Sequence, residues 1–197
     1  MQTSTTKVFI ELLITGFGGL IWMILIVFGI GGVELESVLE KEYSNLFLFP
    51  ISGIAYIFGI LIDRTGYQLL RKREGKNMAM VFENQNDKHE QVTIQQMIIF
   101  IAHSSERLSS KIDYNRSRLR LCRSWILNFL LITISIIVYL ICIKTKHSGT
   151  LVVVSVVSLI LCISSYAIWS ILSKDYYINI ISSYNNLKAM EANNKKV

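Results

Sequence analysis

The residues best suited to chemistry in this sequence form a cationic cluster between residues 111 and 123. Arginine holds phosphate or carboxylate groups through two parallel hydrogen bonds, and a tyrosine beside such a cluster can stack on a nucleobase. The cluster therefore predicts a binding site for an anionic ligand. Its members are Lys111, Tyr114, Arg116, Arg118, Arg120 and Arg123. The competing interpretation is an ordinary basic flank that meets anionic lipid headgroups.

Catalytic and metal-binding patterns are missing from the sequence. It contains no glycine-rich phosphate loop, no nucleophile elbow and no His-Glu-x-x-His helix. Its 3 cysteines show no Cys-x-x-Cys spacing, and its 3 histidines lie in separate regions. We therefore expect neither a metal site nor a disulfide framework, and we predict a protein that is not an enzyme and uses no cofactor.

Four apolar stretches flank the cationic cluster in the sequence, two before it and two after it. They occupy residues 12–33, 45–62, 125–143 and 150–172, and none of them contains Asp, Glu, Lys or Arg. Each has the about 17–25 residues that a helix needs to cross a bilayer. The chain is 52% hydrophobic and 17% charged, whereas soluble domains are roughly 25% charged. The sequence thus predicts an all-α membrane protein with four transmembrane helices and cytoplasmic helical extensions.

Basic residues are unevenly distributed around these stretches. Residues 64–123 hold 12 of the 20 lysines and arginines, and the short connections at 34–44 and 144–149 hold 1 and 2. Because cytoplasmic loops of membrane proteins are enriched in Lys and Arg, both termini and residues 64–123 are expected in the cytoplasm. The predicted organisation is a transmembrane hairpin at 1–63, a basic cytoplasmic region at 64–123, a second hairpin at 124–173 and a cytoplasmic tail at 174–197.

The cytoplasmic region carries clear helix signals. The Gly75-Lys76-Asn77 sequence predicts a turn that ends the second apolar helix, followed by a loop. Thr93 and Gln96 have the spacing of a capping box, which predicts a helix start at residue 94. Because no Gly or Pro occurs between Ile94 and Ser148, we expect one continuous helix of about 50 residues to run into the third apolar stretch.

A heptad pattern follows the cytoplasmic half of that helix. It favours parallel self-association into a homo-oligomeric bundle, with a tetramer as the best guess, and packing against the same chain is the alternative. The seam consists of Ile94, Ile98, Ile101, Leu108, Ile112, Asn115 and Leu119. In a parallel bundle the cations that flank the seam would repel one another, and a bound anion would relieve that repulsion. These cations are Lys111, Arg116, Arg118 and Arg123.

Small and polar residues recur on one face of each apolar stretch. Such a face marks either close helix packing or, in an oligomer, a wall of a water-filled pore. The positions singled out are Glu11, Thr15, Asn45, Ser52, Asp63, Asn128 and Ser135. Packing is the default interpretation of these stripes, and the pore is the functional alternative.

The layout resembles that of the small membrane effectors of bacterial, nucleotide-signalled anti-phage systems. The resemblance lies in the architecture of the whole chain, and the sequence RSRLRLCR at 116–123 is compatible with it. It implies a multi-pass protein of the bacterial inner membrane, a nucleotide or oligonucleotide ligand, a closed resting oligomer and ion flow on activation.

Two functions are carried forward from the sequence. The first is an oligomeric, ligand-gated ion channel or pore-forming effector that depolarises the membrane when an anion binds its basic region. The second is a membrane-anchored adaptor that recruits a soluble signalling partner through the cytoplasmic coiled coil. Membrane lipids are expected partners in both cases.

Overall fold

The computed structural model describes residues 2–32, 48–84, 92–143 and 148–194, and these ranges are helical without any strand. The all-α prediction is therefore confirmed. Five helices lie in the described ranges: α1 (Gln2–Gly31), α2 (Leu48–Asn84), α3 (Ile94–Ser104), α4 (Glu106–Cys142) and α5 (Ser148–Asn194).

Three of these helices, α1, α4 and α5, are long and apolar enough to cross a membrane. This agrees with the predicted membrane character of the first, third and fourth apolar stretches. The second predicted stretch, 45–62, begins outside the described residues, and α2 does not qualify over the part that is described. A fourth span in α2 therefore stays a prediction.

The first of two compact units comprises Met1–Leu69 and Arg120–Ala167. Within it, α1 and α2 cross at two glycines. A methyl group on Gly16 would collide with the carbonyl of Ala55, and one on Gly59 would collide with the carbonyl of Leu12. The missing side chains therefore allow the two backbones to touch, which is how helices commonly pack where there is little hydrophobic driving force between them.

Buried polar side chains join α4 to its neighbours in the same unit. The amide of Asn128, which is fully buried, donates a 2.9 Å hydrogen bond to the carbonyl of Thr15 on α1. From α5, the Ser158 hydroxyl donates to the carbonyl of Phe129 at 2.9 Å. Such hydrogen bonds between helices add modest stability and fix the helix register.

The second compact unit comprises Leu70–Leu119 and Ile168–Val197. Its helices pack through an apolar core that includes an edge-to-face contact between Phe100 on α3 and Tyr184 on α5, with ring centroids 5.3 Å apart. The buried apolar residues of this unit are Val81, Met97, Ile101, Ile112, Leu119, Trp169, Tyr176, Tyr177, Ile180 and Ile181.

The predicted turn at Gly75-Lys76-Asn77 is wrong, because α2 continues through these residues to Asn84. A glycine inside a helix costs only about 1 kcal/mol relative to alanine. Asn77, two residues after the glycine, and Val81, four residues later, are both buried, so the packed face of α2 extends beyond Gly75. This packing offsets the low helix propensity of Gly75.

The predicted helix start at residue 94 is confirmed, since Thr93 and Gln96 form a capping box. The continuous helix predicted from there into the third apolar stretch is wrong, because the chain is extended at Ser105, with φ −156° and ψ 111°. The Ser105 hydroxyl accepts the backbone N–H of Leu108 at 3.4 Å, and its carbonyl accepts that of Ser109 at 3.0 Å. Serine can thus end one helix and cap the next without Gly or Pro, because its side chain competes for backbone hydrogen bonds.

Candidate functional site

Four residues of the predicted ligand cluster lie on exposed parts of α4 in the second unit. Lys111, Arg116 and Arg118 are exposed, and Tyr114 is 60% exposed. The Arg118 guanidinium lies 5.7 Å from the centre of the Tyr114 ring, a distance at which cation and ring attract each other. Lys111, Tyr114 and Arg118 follow one another at spacings of three and four residues, so they share a face of α4 that an anion in solution can reach. Arg116 is exposed on another face of the helix.

The other two members of the cluster belong to the first unit and pair with a carboxylate. Arg123 Nη2 lies 2.8 Å from Asp63 Oδ1, and Arg120 Nε lies 3.7 Å from Asp63 Oδ2. Arg123 is 8% exposed, and its guanidinium lies 5.0 Å from the centre of the Tyr67 ring. Arg123 is therefore a buried link between α2 and α4, and the exposed cationic surface does not include it.

The positions of Asp63 and Arg123 beside the apolar stretches indicate this ion pair in the sequence. Asp63 directly follows the second apolar stretch, and Arg123 lies two residues before the third. Both charges therefore stand at the same edge of their apolar stretches, where opposite charges on neighbouring helices can meet. Gly66 makes room for the arginine, because a methyl group there would lie 3.3 Å from the Arg123 side chain.

A groove in the second unit was not predicted from the sequence. It has a volume of about 670 Å³ and lies between the first turns of α4 and the last turns of α5. One wall carries Arg107 and Lys111, and the other carries Asn186 and Met190. Arg107 lies outside the 111–123 cluster, and no sequence pattern links it to residues 186–190, so the groove could not be predicted from the sequence.

The polar stripe residues lie mostly inside the first unit. Thr15, Asn128 and Ser135 are buried, and the Ser135 hydroxyl donates to the carbonyl of Leu131 in its own helix at 2.6 Å. Glu11 and Ser52 are half-buried, and Asn45 lies outside the described residues. In the single chain, the buried stripe positions serve helix packing.

The seam residues are partly covered by their own chain. Ile101, Ile112 and Leu119 are buried, with exposed fractions of 0%, 4% and 6%. The remaining seam residues, Ile94, Ile98, Leu108 and Asn115, are half-buried. The structure therefore displays the packing against the same chain that the sequence offered as an alternative, and self-association through the seam stays a prediction.

A polar contact also lies in the core of the second unit. The hydroxyl of Tyr177 on α5 donates a 3.2 Å hydrogen bond to Glu74 Oε1 on α2. Across the described ranges, no group of three or more His, Cys, Asp or Glu side chains is arranged to hold a metal ion. The exposed cations and the groove are therefore the features of this unit with the clearest binding chemistry.

No family model, curated protein or solved structure matches this chain. Its function is inferred below from its own residues.

Proposed function

We propose that this chain is the subunit of a homo-oligomeric, ligand-gated ion channel or pore-forming effector that depolarises the membrane when an anion binds the basic surface of the second unit. One observation carries the proposal. Exposed cations stand on α4, a single helix that runs from Glu106 to Cys142 and contains an apolar segment able to cross a membrane. A shift of its basic end would therefore move its apolar end.

The driving force for gating is the relief, by the bound anion, of the repulsion between the cations. Lys111, Arg116 and Arg118 are exposed on α4, and a parallel oligomer would bring several copies of them together. A polyanion that bridges subunits would neutralise this charge and pull the helices closer. The coupling requires that the ligand binds the open arrangement more tightly than the closed one.

The Asp63 ion pair supports a defined resting state. It links α2 to α4 at the edge of their apolar segments, through the 2.8 Å contact with Arg123. A charged link between two helices must be broken or carried along when either helix shifts. In the proposed channel this link holds α4 in place until the ligand acts.

The apolar helices differ in how much of their surface the chain itself covers. The most apolar window of α5 is 6% buried, against 39% for α1 and 28% for α4. We propose that α2 supplies the fourth span, that both termini are cytoplasmic, and that α5 contacts lipid and neighbouring subunits of a tetramer. The half-buried Glu11 and Ser52 are the stripe residues best placed to line a pore after the helices rearrange.

A place in bacterial nucleotide-signalled anti-phage defence is part of this proposal, with the inner membrane as the site of action and a nucleotide or oligonucleotide as the signal. The alternative function, a membrane-anchored adaptor that recruits a soluble partner, is less well supported by the burial of the seam residues. Its partner-binding seam would include Ile101, Ile112 and Leu119, which the chain already buries. This leaves less apolar surface for a soluble partner to cover.

The test uses the purified full chain in liposomes that hold a membrane potential. A potential-sensitive dye reports whether a probe makes the membrane conduct ions and so collapses the potential. Cyclic AMP, cyclic di-AMP and a linear triadenylate are the probes. We expect one of them to collapse the potential. The charge-reversed variant Lys111→Glu, Arg116→Glu, Arg118→Glu should insert normally and lose the response.

The matched control reverses Arg71 and Lys72, two exposed cations on α2 in the same unit. It should respond like the wild type. If inserted wild-type protein holds the potential against every probe, the channel is rejected in favour of the adaptor. If the triple variant still responds fully, the basic surface of α4 is not the ligand site.

A further inference from the structure

The groove between the first turns of α4 and the last turns of α5 combines charge with apolar surface. Arg107 and Lys111 lie on it from α4, one helical turn apart, so their side chains share a face. Neither side chain forms an ion pair or hydrogen bond with another residue in the described ranges. Within the described ranges no ion pair neutralises their charge, and both side chains can hold phosphate groups.

The rest of the groove is suited to a flat, partly apolar body. Leu108 on α4 and Leu187 and Met190 on α5 supply its apolar surface, and Met190 is 64% exposed. Methionine sulfur makes favourable contacts with aromatic rings. Asn186 adds an amide that can both donate and accept a hydrogen bond at the edge of such a ring.

Along α4 and α5, the groove lies well beyond the apolar stretches. Arg107 precedes the apolar stretch at 125–143 by 18 residues of α4, which is about 27 Å at 1.5 Å per residue. Met190 follows the stretch at 150–172 by 18 residues of α5, again about 27 Å. Headgroups extend only about 5–8 Å beyond the hydrocarbon core, so these helix lengths favour a ligand from solution over a bilayer lipid.

From these features we infer that the groove lined by Arg107, Lys111, Leu108, Asn186, Leu187 and Met190 binds a soluble phosphate ester with an aromatic body, the chemical class of nucleotides. The inference rests on the proposed function, because it names where the activating anion binds. Within the basic surface of α4, it narrows the contact site to the end that carries Lys111, at the junction with α5. Its phosphates contact Arg107 and Lys111, and its ring covers Leu187 and Met190.

The experiment measures binding of trinitrophenyl-ATP, by its fluorescence, to the full chain in detergent micelles, with inorganic pyrophosphate as a competitor. We expect saturable binding, and the Arg107→Gln, Lys111→Gln variant should raise Kd by about tenfold or more. Arg71→Gln with Lys72→Gln removes the same charge from α2 and should change Kd by less than about twofold. All four side chains are exposed, so both variants should fold, as circular dichroism will show.

Two further variants separate the groove from its surroundings. Met190→Ala should weaken trinitrophenyl-ATP by about threefold and leave competition by pyrophosphate unchanged, because only the aromatic body contacts this residue. Arg116→Gln with Arg118→Gln should weaken binding less than the groove pair does, because these cations attract the anion towards α4 without contacting it. The assignment is overturned if the wild type shows no saturable binding, or if either pair outside the groove weakens binding as much as the groove pair.

Conductance separates this inference from the proposed function. Binding that follows the groove residues in a protein that never conducts would uphold the site and reject the channel. A channel whose response survives Arg107→Gln with Lys111→Gln would uphold the proposed function and overturn the site.

Discussion

At the scale of single residues, the environment of a charge decides its role more than its type does. Arg118 and Arg123 stand five residues apart in one basic run. Arg118 is exposed beside Tyr114, whereas Arg123 is 8% exposed and 2.8 Å from Asp63. A buried guanidinium needs an anionic partner because its desolvation is costly. One arginine is therefore available to a ligand, and the other stabilises the contact between α2 and α4.

This difference predicts the effect of removing the carboxylate. Asp63→Asn deprives the buried Arg123 of its anionic partner and should lower the free energy of unfolding by about 2–3 kcal/mol. Denaturant unfolding in micelles, followed by circular dichroism, measures the change. Glu83→Gln is the matched control on the same helix, because Glu83 is exposed, and it should shift stability by less than about 0.5 kcal/mol. Equal shifts for the two variants would contradict a structural role for the ion pair.

At the scale of helices, close approach and capping decide where the elements lie and end. Gly59 faces the backbone of α1, whereas a methyl group placed on Gly53 would meet no other part of the described chain within 4 Å, its own helical turn apart. Both residues belong to α2, and helix propensity treats them alike. Only the neighbouring atoms show that close packing requires a glycine at position 59 and does not require one at position 53.

The two glycines make a matched pair for a packing test. Gly59→Ala should force α1 and α2 apart and destabilise the fold by about 2 kcal/mol or more. Gly53→Ala should be neutral or stabilising by up to about 1 kcal/mol, because alanine favours the helix. Thermal unfolding in the same micelles compares them. A tolerated alanine at Gly59 would show that α1 and α2 do not cross as described.

Capping at Ser105 gives a second test at this scale. Ser105→Ala removes the hydroxyl that accepts the Leu108 N–H and should cost about 1 kcal/mol of stability. Amide hydrogen exchange should accelerate at Leu108, in the first turn of α4. Ser110→Ala, at an exposed position inside α4, should leave that exchange rate unchanged. If Leu108 exchanges equally fast in both variants, Ser105 is not the cap.

At the scale of the whole chain, charge and apolarity are separated along the sequence. Residues 64–123 carry 12 basic and 6 acidic side chains, whereas the four apolar stretches carry none. This asymmetry predicts which segments face the cytoplasm, because the membrane potential and anionic lipids favour basic loops on that side.

Labelling in bacterial spheroplasts tests this topology. With the three native cysteines replaced by alanine, Lys72→Cys should resist a membrane-impermeant maleimide until the membrane is permeabilised. Gly149→Cys, at the exposed start of α5, should react without permeabilisation. The reverse pattern would place the basic region outside and reject the predicted orientation.

The sequence by itself determined the features that depend on local composition and spacing. The transfer energy of an apolar stretch is a property of that stretch alone, which is why α1, α4 and α5 qualify as spans where the sequence predicted them. The Thr93–Gln96 capping box was also readable, because all of its atoms lie within one helical turn. The same reasoning misjudged Gly75 and Ser105, where packing or a side-chain hydrogen bond outweighed propensity.

Tertiary structure decided which distant residues meet. Asp63 and Arg123 are 60 positions apart, and Arg107 reaches the groove shared with Met190 only because α4 and α5 pack side by side in the second unit. The same packing buries Ile101 and Ile112 within the chain. A hydrophobic pattern specifies that a face must be covered without specifying what covers it, so such contacts follow from how the helices pack together.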